Sequence, residues 1–409
     1  MSNRNLAELV RALYPEPHSL HLPDGVHGDG SGATVAEFMI VPHARRPRLA
    51  IPTRSRAERV AAVSHLATPR AFKQRVKQAA VRAAVAGPGT GRLAFRDRLR
   101  ISGPPGADSL QTYLSSALGT DVSLSLHVGG GLRANRKPVA EVLDASGTTV
   151  GFAKVGINDL TRALVLAETA ALTRLAAAGL RRSTVPEVRH AGRWRDYQVL
   201  LQSALPVWRR PTAVEPGAVA QAMREVAYAV GSTRAPLQAS DYAAHLRARL
   251  DGIAADTGVA NRGVRAELRA AGVRALNAYP DTLLDFGAWH GDWSPWNMHP
   301  APGTIYVWDW ERFETGVPVG FDGLHHAFNA SLGRGVPPRR AAQELFGAAP
   351  AVLGGFGVGG DAVAATVAVY LVDIAARYLA DRQDESGQAL GAVADWMLPV
   401  LGNHLSVKE

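Results

Sequence analysis

The sequence predicts an α+β fold in two lobes, a small antiparallel sheet with one helix and then a large helical lobe, preceded by an extra N-terminal α/β unit. Three features predict it. Before about residue 205, short apolar or alternating runs are broken by Gly and Pro, as strands are. Inside that region one long pattern, DLTRALVLAETAALTRLAAAGL (159–180), has helical spacing. From about 207 onward helical patterns dominate, apart from a loop and strand around HGDWSPWN (290–297) and TIYVWDWERF (304–313).

The N-terminal unit, 1–110, opens the chain. TVAEFMIVP and PRLAIP are short apolar runs bounded by Pro and read as strands. TPRAFKQRVKQAAVRAAVAGPG reads as a helix: Thr68 caps it, Pro69 suits its first position and GPG ends it. Arg70, Lys73, Lys77 and Arg82 give it a loosely basic face. Residues 1–110 hold 17 Lys and Arg against 8 Asp and Glu, so the basic character of the chain, +9 overall, belongs to this quarter. The plain reading of that face is a solvated one. Its alternative is an anionic or protein partner. Nucleic acid is disfavoured, because no recognisable nucleic-acid motif accompanies the charge.

The smaller lobe, 111–205, follows. VSLSLHVGGGLRANRKPVAEVLDASGTTVGFAKVG (122–156) reads as antiparallel strands with a hairpin turn at Asp144–Gly147. The helix after it takes Asp159 as its cap and Gly179 as its stop. PEVRHAGRWRDYQVLLQSALP (186–206) reads as strand, turn, strand and a break at Pro. The helical lobe is 206–409. Its most apolar run, AVAATVAVYLVDIAARYLA (362–380), is interrupted by Asp373 and Arg377 and reads as a buried helix, not a membrane span.

Composition removes several functions. The chain has no Cys, which excludes disulfides, thiolate metal sites and cysteine nucleophiles. That and an N-terminus without an apolar signal core suggest a cytoplasmic protein. GFGVGG (355–360) fits a dinucleotide fingerprint but lacks the strand–turn–helix around it. GPGTGR (87–92) lacks the lysine and hydroxyl of a phosphate loop. The pair His325 and His326, with no Cys, is a poor zinc candidate. HGDGSG (27–32) has no Asn five residues after its Asp and reads as a Gly-rich turn.

HGDWSPWN differs. Pro295 and the tryptophans disfavour a continuous helix, so it is a shaped loop. A carboxylate at Asp292 can orient or deprotonate a hydroxyl. The amide oxygen of Asn297, five residues on, can bind a hard cation. Twelve residues later an apolar strand delivers Asp309, a second oxygen ligand for the same metal. The pattern is that of a kinase catalytic loop, H-x-D-x-x-x-x-N followed by a metal-binding Asp. Here the chain resembles the aminoglycoside phosphotransferase and choline kinase family, which has the protein-kinase-like bilobal fold. The resemblance covers roughly 115–400. It implies Asp292 as catalytic base, His290 as a brace for the loop, Asn297 and Asp309 as Mg²⁺ ligands, and Asp322 in VGFDGLHH as a support for the loop.

The family's remaining parts occur upstream in order. Lys154 would hold the ATP phosphates and Glu168, fourteen residues on in the next helix, would pair with it. Gly129, Gly130 and Gly131 in VGGGLRAN would lie over the phosphates. The segment Gln202–Leu205, with Ser203 and Leu205, would meet the adenine through its backbone. Trp310 and Glu311 follow Asp309 where protein kinases have Phe and Gly, which favours the small-molecule branch. The expectation is therefore an ATP- and Mg²⁺-dependent phosphotransferase acting on a hydroxyl of a metabolite, sugar or natural product. A Ser or Thr in a peptide and a catalytically silent kinase-like binding protein are the alternatives. Aminoglycosides are polycations, and Glu311, Glu314, Asp381, Asp384 and Glu385 offer only a modest acidic surface for them. Among the tryptophans, core packing is the first reading for most.

Overall fold

The run ATVAEFMIV forms a strand, Ala33–Val41, and its alternation decides what lies on each side of it. Phe38 and Ile40 join one apolar cluster, while Met39 and Val41 join another. The strand therefore sits in a sheet covered on both faces.

The computed structural model describes residues 2–23, 25–27, 32–64, 79–85, 87, 95–128, 137–213, 215, 217–256, 262–381, 390 and 392–406. The labelled strands are β1 (Ser19–Leu22), β2 (Gly25–His27), β3 (Ala33–Val41), β4 (Leu49–Pro52), β5 (Arg98–Gly103), β6 (Val122–His127), β7 (Val139–Asp144), β8 (Thr149–Gly156), β9 (Ser183–Thr184), β10 (Val188–Trp194), β11 (Tyr197–Gln202), β12 (Thr233–Pro236), β13 (Leu283–Trp289), β14 (Met298–Ala301), β15 (Thr304–Val307) and β16 (Glu314–Pro318). The labelled helices are α1 (Ser2–Leu13), α2 (Arg56–Ser64), α3 (Leu110–Leu118), α4 (Asp159–Ala177), α5 (Ala218–Ala229), α6 (Asp241–Ala255), α7 (Arg262–Asn277), α8 (Phe321–Gly333), α9 (Pro338–Gly354), α10 (Asp361–Ala380) and α11 (Val393–Ser406). The class is α+β. The chain divides into two units: Met1–Gly131 with Arg136–Thr169 and Pro186–Pro211, and Leu132–Asn135 with Ala170–Val185 and Thr212–Glu409.

The first unit is built on a ten-stranded sheet in the order β10-β11-β8-β7-β6-β4-β3-β5-β1-β2, every neighbour antiparallel. Residues 1–110 were expected as a separate unit, and here the structure differs. Strand β4 pairs with β6 through Leu49↔His127 and Ala50↔Leu126, so the early strands continue the sheet that carries Lys154. The core is continuous as well. Leu6, Val10 and Leu13 of α1, at helical spacing, share one cluster with Leu110 and Leu114 of α3 and with Leu124, Ala153 and Leu201 of the later strands. The sequence shows short strands but not which edge each one seeks.

Local signals act as their chemistry requires. The hairpin at Asp144 forms, and the Asp144 carboxylate accepts from the backbone N–H groups of Ser146 and Thr148 at 2.9 and 2.8 Å. The cap of α4 is Asn158, not Asp159: Asn158 Oδ1 accepts from Thr161 N–H at 2.9 Å while Thr161 Oγ1 accepts from Asn158 N–H at 3.0 Å. Residues 79–85 are helical, but Thr68, Pro69 and the cations Arg70, Lys73 and Lys77 lie outside the described residues. So do residues 28–31 of HGDGSG.

The second unit packs its helices around α10, which is apolar on all sides and buried over most of its length. By length and composition α10 alone among the described residues qualifies to cross a membrane, and 78% of that apolar window lies buried inside the fold, as in a core helix. The two charges inside its apolar run have partners: Asp373 holds Arg249 at 2.7 Å and accepts from Tyr242 Oη at 3.1 Å, and Arg377 lies 4.6 Å from the Trp289 ring. Two small sheets, β12-β13-β16 and β14-β15-β9, break the helical run. Strand β13, LLDFGAW, ends directly before His290 and so aims the loop that follows.

Candidate active site

In the first unit Ala153 and Val155 point into the apolar cluster, so the alternation of β8 turns Lys154 to the opposite face. There Lys154 Nζ meets Glu168 Oε1 of α4 at 2.5 Å, with both side chains buried. A buried ion pair of this geometry fixes the ammonium in one place. At the end of β11, Ser203 N–H donates to the Glu187 carbonyl at 2.8 Å and Ser203 Oγ accepts from Glu187 N–H at 2.9 Å. The Leu205 carbonyl accepts from Val207 N–H at 2.8 Å, and the Leu205 N–H makes no hydrogen bond among the described residues. Gly129, Gly130 and Gly131 lie outside the described residues.

The second unit holds the loop 290–297. His290 is fully buried at its start. Its Nδ1 accepts from Asp292 N–H at 3.0 Å, so Nε2 carries the proton and donates to the Trp308 carbonyl at 3.0 Å. Burial pushes His290 down to about 4, against the opposing pull of Asp292. Gly291 has φ +82°, and a Cβ there would lie 2.2 Å from the Arg312 carbonyl oxygen, so only Gly fits. Its own carbonyl accepts from Arg377 of α10. The backbone N–H groups of His290 and Gly291 donate to the two oxygens of Asp322, at 2.7 and 3.2 Å. Burial pushes Asp322 up to about 7, although those two N–H groups and Arg377 favour its charged form.

The Asp292 carboxylate, part-exposed, has its two oxygens in different surroundings. Oδ1 accepts from Ser294 Oγ at 2.5 Å and has His325 Nε2 at 3.1 Å. Oδ2 accepts from Asn297 Nδ2 at 2.9 Å, and the same Nδ2 donates to the Asp292 carbonyl at 3.0 Å. Burial works to raise this carboxyl. The hydrogen bond and charge of His325, then Ser294 and His290, outweigh it and hold Asp292 below the usual carboxylate range.

With its nitrogen committed to Asp292, the Asn297 amide keeps its oxygen for another partner. Asp309, two residues past β15, sits in the left-handed region at φ 72°, ψ 54°. A non-Gly residue held there at a strand end is a strained position of the kind found at functional sites. An oxygen of Asp309 and one of Glu311 lie within 4.8 Å of each other. Amide and carboxylate oxygens are the donors a hard divalent cation takes, so this set fits Mg²⁺.

Two features of this region are not visible in the sequence. His325 looked like half of a poor zinc pair, yet it reaches the Asp292 carboxylate. The five tryptophans in and beside the loop separate by exposure: Trp289, Trp293 and Trp310 are fully buried and Trp308 is partly buried, whereas Trp296 is 55% exposed. The acidic surface weighed for a polycation is thin. Of its five residues, among those described only Glu314 is exposed: Glu311 is buried, Asp381 is buried against Arg312, and Asp384 and Glu385 lie outside the described residues.

No family model matches this chain, and no curated protein does. Solved structures that it resembles are kinases. A choline/ethanolamine kinase family protein from Mesorhizobium loti is 18% identical, with 70% of this chain and 92% of that one covered at a TM-score of 0.40. A thermostable mutant of an aminoglycoside phosphotransferase, in ternary complex with ADP and hygromycin B, is 15% identical, covering 73% and 98% at 0.43. An amicoumacin kinase in complex with AMP-PNP and Ca²⁺ is 14% identical, covering 73% and 92% at 0.42. At these scores the likeness carries no argument of its own, and the functional reading rests on the residues.

Proposed function

We propose that this chain transfers the γ-phosphoryl group of ATP, with Mg²⁺, to a hydroxyl group of a small molecule. The observation that carries the reading is the pair of hydrogen bonds from Asn297 Nδ2 to Asp292, which join an ionised base and a free amide oxygen in one loop. Asp292 takes the proton of the acceptor hydroxyl. The acceptor oxygen forms its bond to the γ-phosphorus as the bond from that phosphorus to the bridging oxygen breaks, and ADP leaves. Asn297 and Asp309 would hold the metal, which when bound neutralises phosphate charge. Lys154, fixed by Glu168, would bind phosphate oxygens, and the backbone at Ser203 and Leu205 would face the adenine edge. Positioning and charge stabilisation supply most of the rate.

A Ser or Thr hydroxyl in a peptide is the second reading. The exposed indole of Trp296, in the loop itself, favours an acceptor with apolar surface over a polycationic sugar. The test is Mg²⁺-dependent ATP consumption by the purified protein and by Asp292→Asn, with and without a panel of hydroxyl acceptors that includes Ser/Thr peptides. Turnover by the wild type that the variant lacks supports the phosphotransferase, and the responding acceptor names its class. ATP binding without turnover on any acceptor would favour a silent scaffold. No nucleotide binding would overturn the reading.

A further inference from the structure

We propose that His325, backed by Tyr370, is the positioning residue of Asp292: it saturates Oδ1 and leaves Oδ2 to take the acceptor's proton. The inference rests on the phosphotransferase reading of the loop and adds a residue to it. His325 lies on α8, one turn after Asp322. Residues three apart share a helix face. Asp322 therefore holds the backbone of His290 and Gly291 while His325 holds the side chain of Asp292. One helix thus fixes both the path of the loop and the rotation of its carboxylate.

The direction of the hydrogen bond follows from the partners on the two sides of the ring. His325 Nδ1 lies 3.0 Å from Tyr370 Oη, with both side chains buried. Burial pushes the Tyr370 phenol far above its ordinary range, so it keeps its proton. An ionised carboxylate only accepts, so in neutral His325 the nitrogen facing Asp292 Oδ1, Nε2, carries the proton, and Nδ1 accepts from the phenol. In charged His325 both nitrogens carry protons. Either way Nε2–H donates to Asp292 Oδ1. With Ser294 donating to the same oxygen, Oδ1 has two donors, and among the described residues Oδ2 has only Asn297. The imidazole is packed between Trp289 and Tyr370, whose ring centroids lie 6.3 and 6.2 Å away, so it has little freedom to turn.

The test compares His325→Leu, which has no donor, with His325→Gln, whose amide nitrogen can occupy the place of Nε2. His325→Leu should lower kcat on the order of 10²-fold, the usual cost of a misplaced catalytic group, with KM for ATP unchanged. His325→Gln should recover most of that loss. Wild-type kcat in His325→Leu, or equal loss in both variants, would overturn the inference. A second measurement does not depend on turnover. In ¹⁵N-histidine spectra of the full chain, the signals that vanish in His325→Gln should show a protonated Nε2 whose proton moves upfield in Asp292→Ala. A His325 protonated only on Nδ1, or indifferent to Asp292→Ala, would overturn the proposal even in a protein that transfers no phosphate. A wild type inactive on every acceptor but with the expected spectrum would leave the hydrogen bond standing and remove the phosphotransferase reading alone.

Discussion

The loop shows how much a single residue can be asked to do. Gly291 carries a positive φ and has a backbone carbonyl where its Cβ would go, so Gly291→Ala should destabilise the fold by about 3 kcal/mol, measured by chemical denaturation. His290 and Asp322 give a pH signature of opposite signs. His290 titrates at 6.5 unfolded and about 4 folded, so its contribution is complete above pH 6.5 and is lost as the pH falls towards 4. Asp322 moves from 3.8 to about 7, so its contribution is complete below pH 3.8 and is lost as the pH rises through 7. Over the shared window the two oppose, and wild-type stability should be nearly flat. His290→Gln should leave a stability that falls with rising pH. Asp322→Asn should leave one that rises; the fall is roughly 4 kcal/mol and the rise roughly 3 kcal/mol across the respective windows. Flat unfolding profiles in both variants would sink this account.

Elements place these residues, and here the limits of sequence reading have physical causes. Asp292, Asn297 and Asp309 were legible because their spacing is local and their chemistry names them. Lys154 and Glu168 were legible once the loop suggested a family, since a strand and the following helix must meet. His325 was not, because its partner lies 33 residues away and only the docking of α8 on the loop brings them together. Strand β13 was missed inside a helical lobe because LLDFGAW is a short apolar run that periodicity alone cannot assign. Two predictions belong at this scale. Lys154→Met takes a buried cation from Glu168 and should cost about 3–5 kcal/mol in denaturant unfolding while weakening ATP binding. At Asp309, Gly should be tolerated better than Ala by about 1 kcal/mol, because the left-handed backbone penalises a Cβ, and both variants should lose Mg²⁺-dependent turnover.

At the scale of the whole molecule, the N-terminal quarter is part of the structure that carries Lys154. A chain beginning at residue 111 would lose β1–β5, α1 and α2, uncovering the edge of β6 and the cluster around Leu114, Leu124 and Leu126. It should fail to give soluble protein with a cooperative unfolding transition. A well-folded 111–409 with wild-type thermal stability would show the early strands to be dispensable. The order of the sheet also bears on birth of the protein at the ribosome. Read from one edge, β2-β1-β5-β3-β4 comes first and β6-β7-β8-β11-β10 is added after it, close to the order of synthesis. The pairs β1–β2 and β3–β4 can therefore form as they emerge, β5 joins them, and β6, β7, β8 and β11 each find a finished edge, while β10 waits for β11. Until β6 is made, some 70 residues after β4, that edge of β4 stands open to any passing strand. Slow or stalled translation between residues 52 and 122 is thus where this chain would be most exposed to misassembly with its own copies.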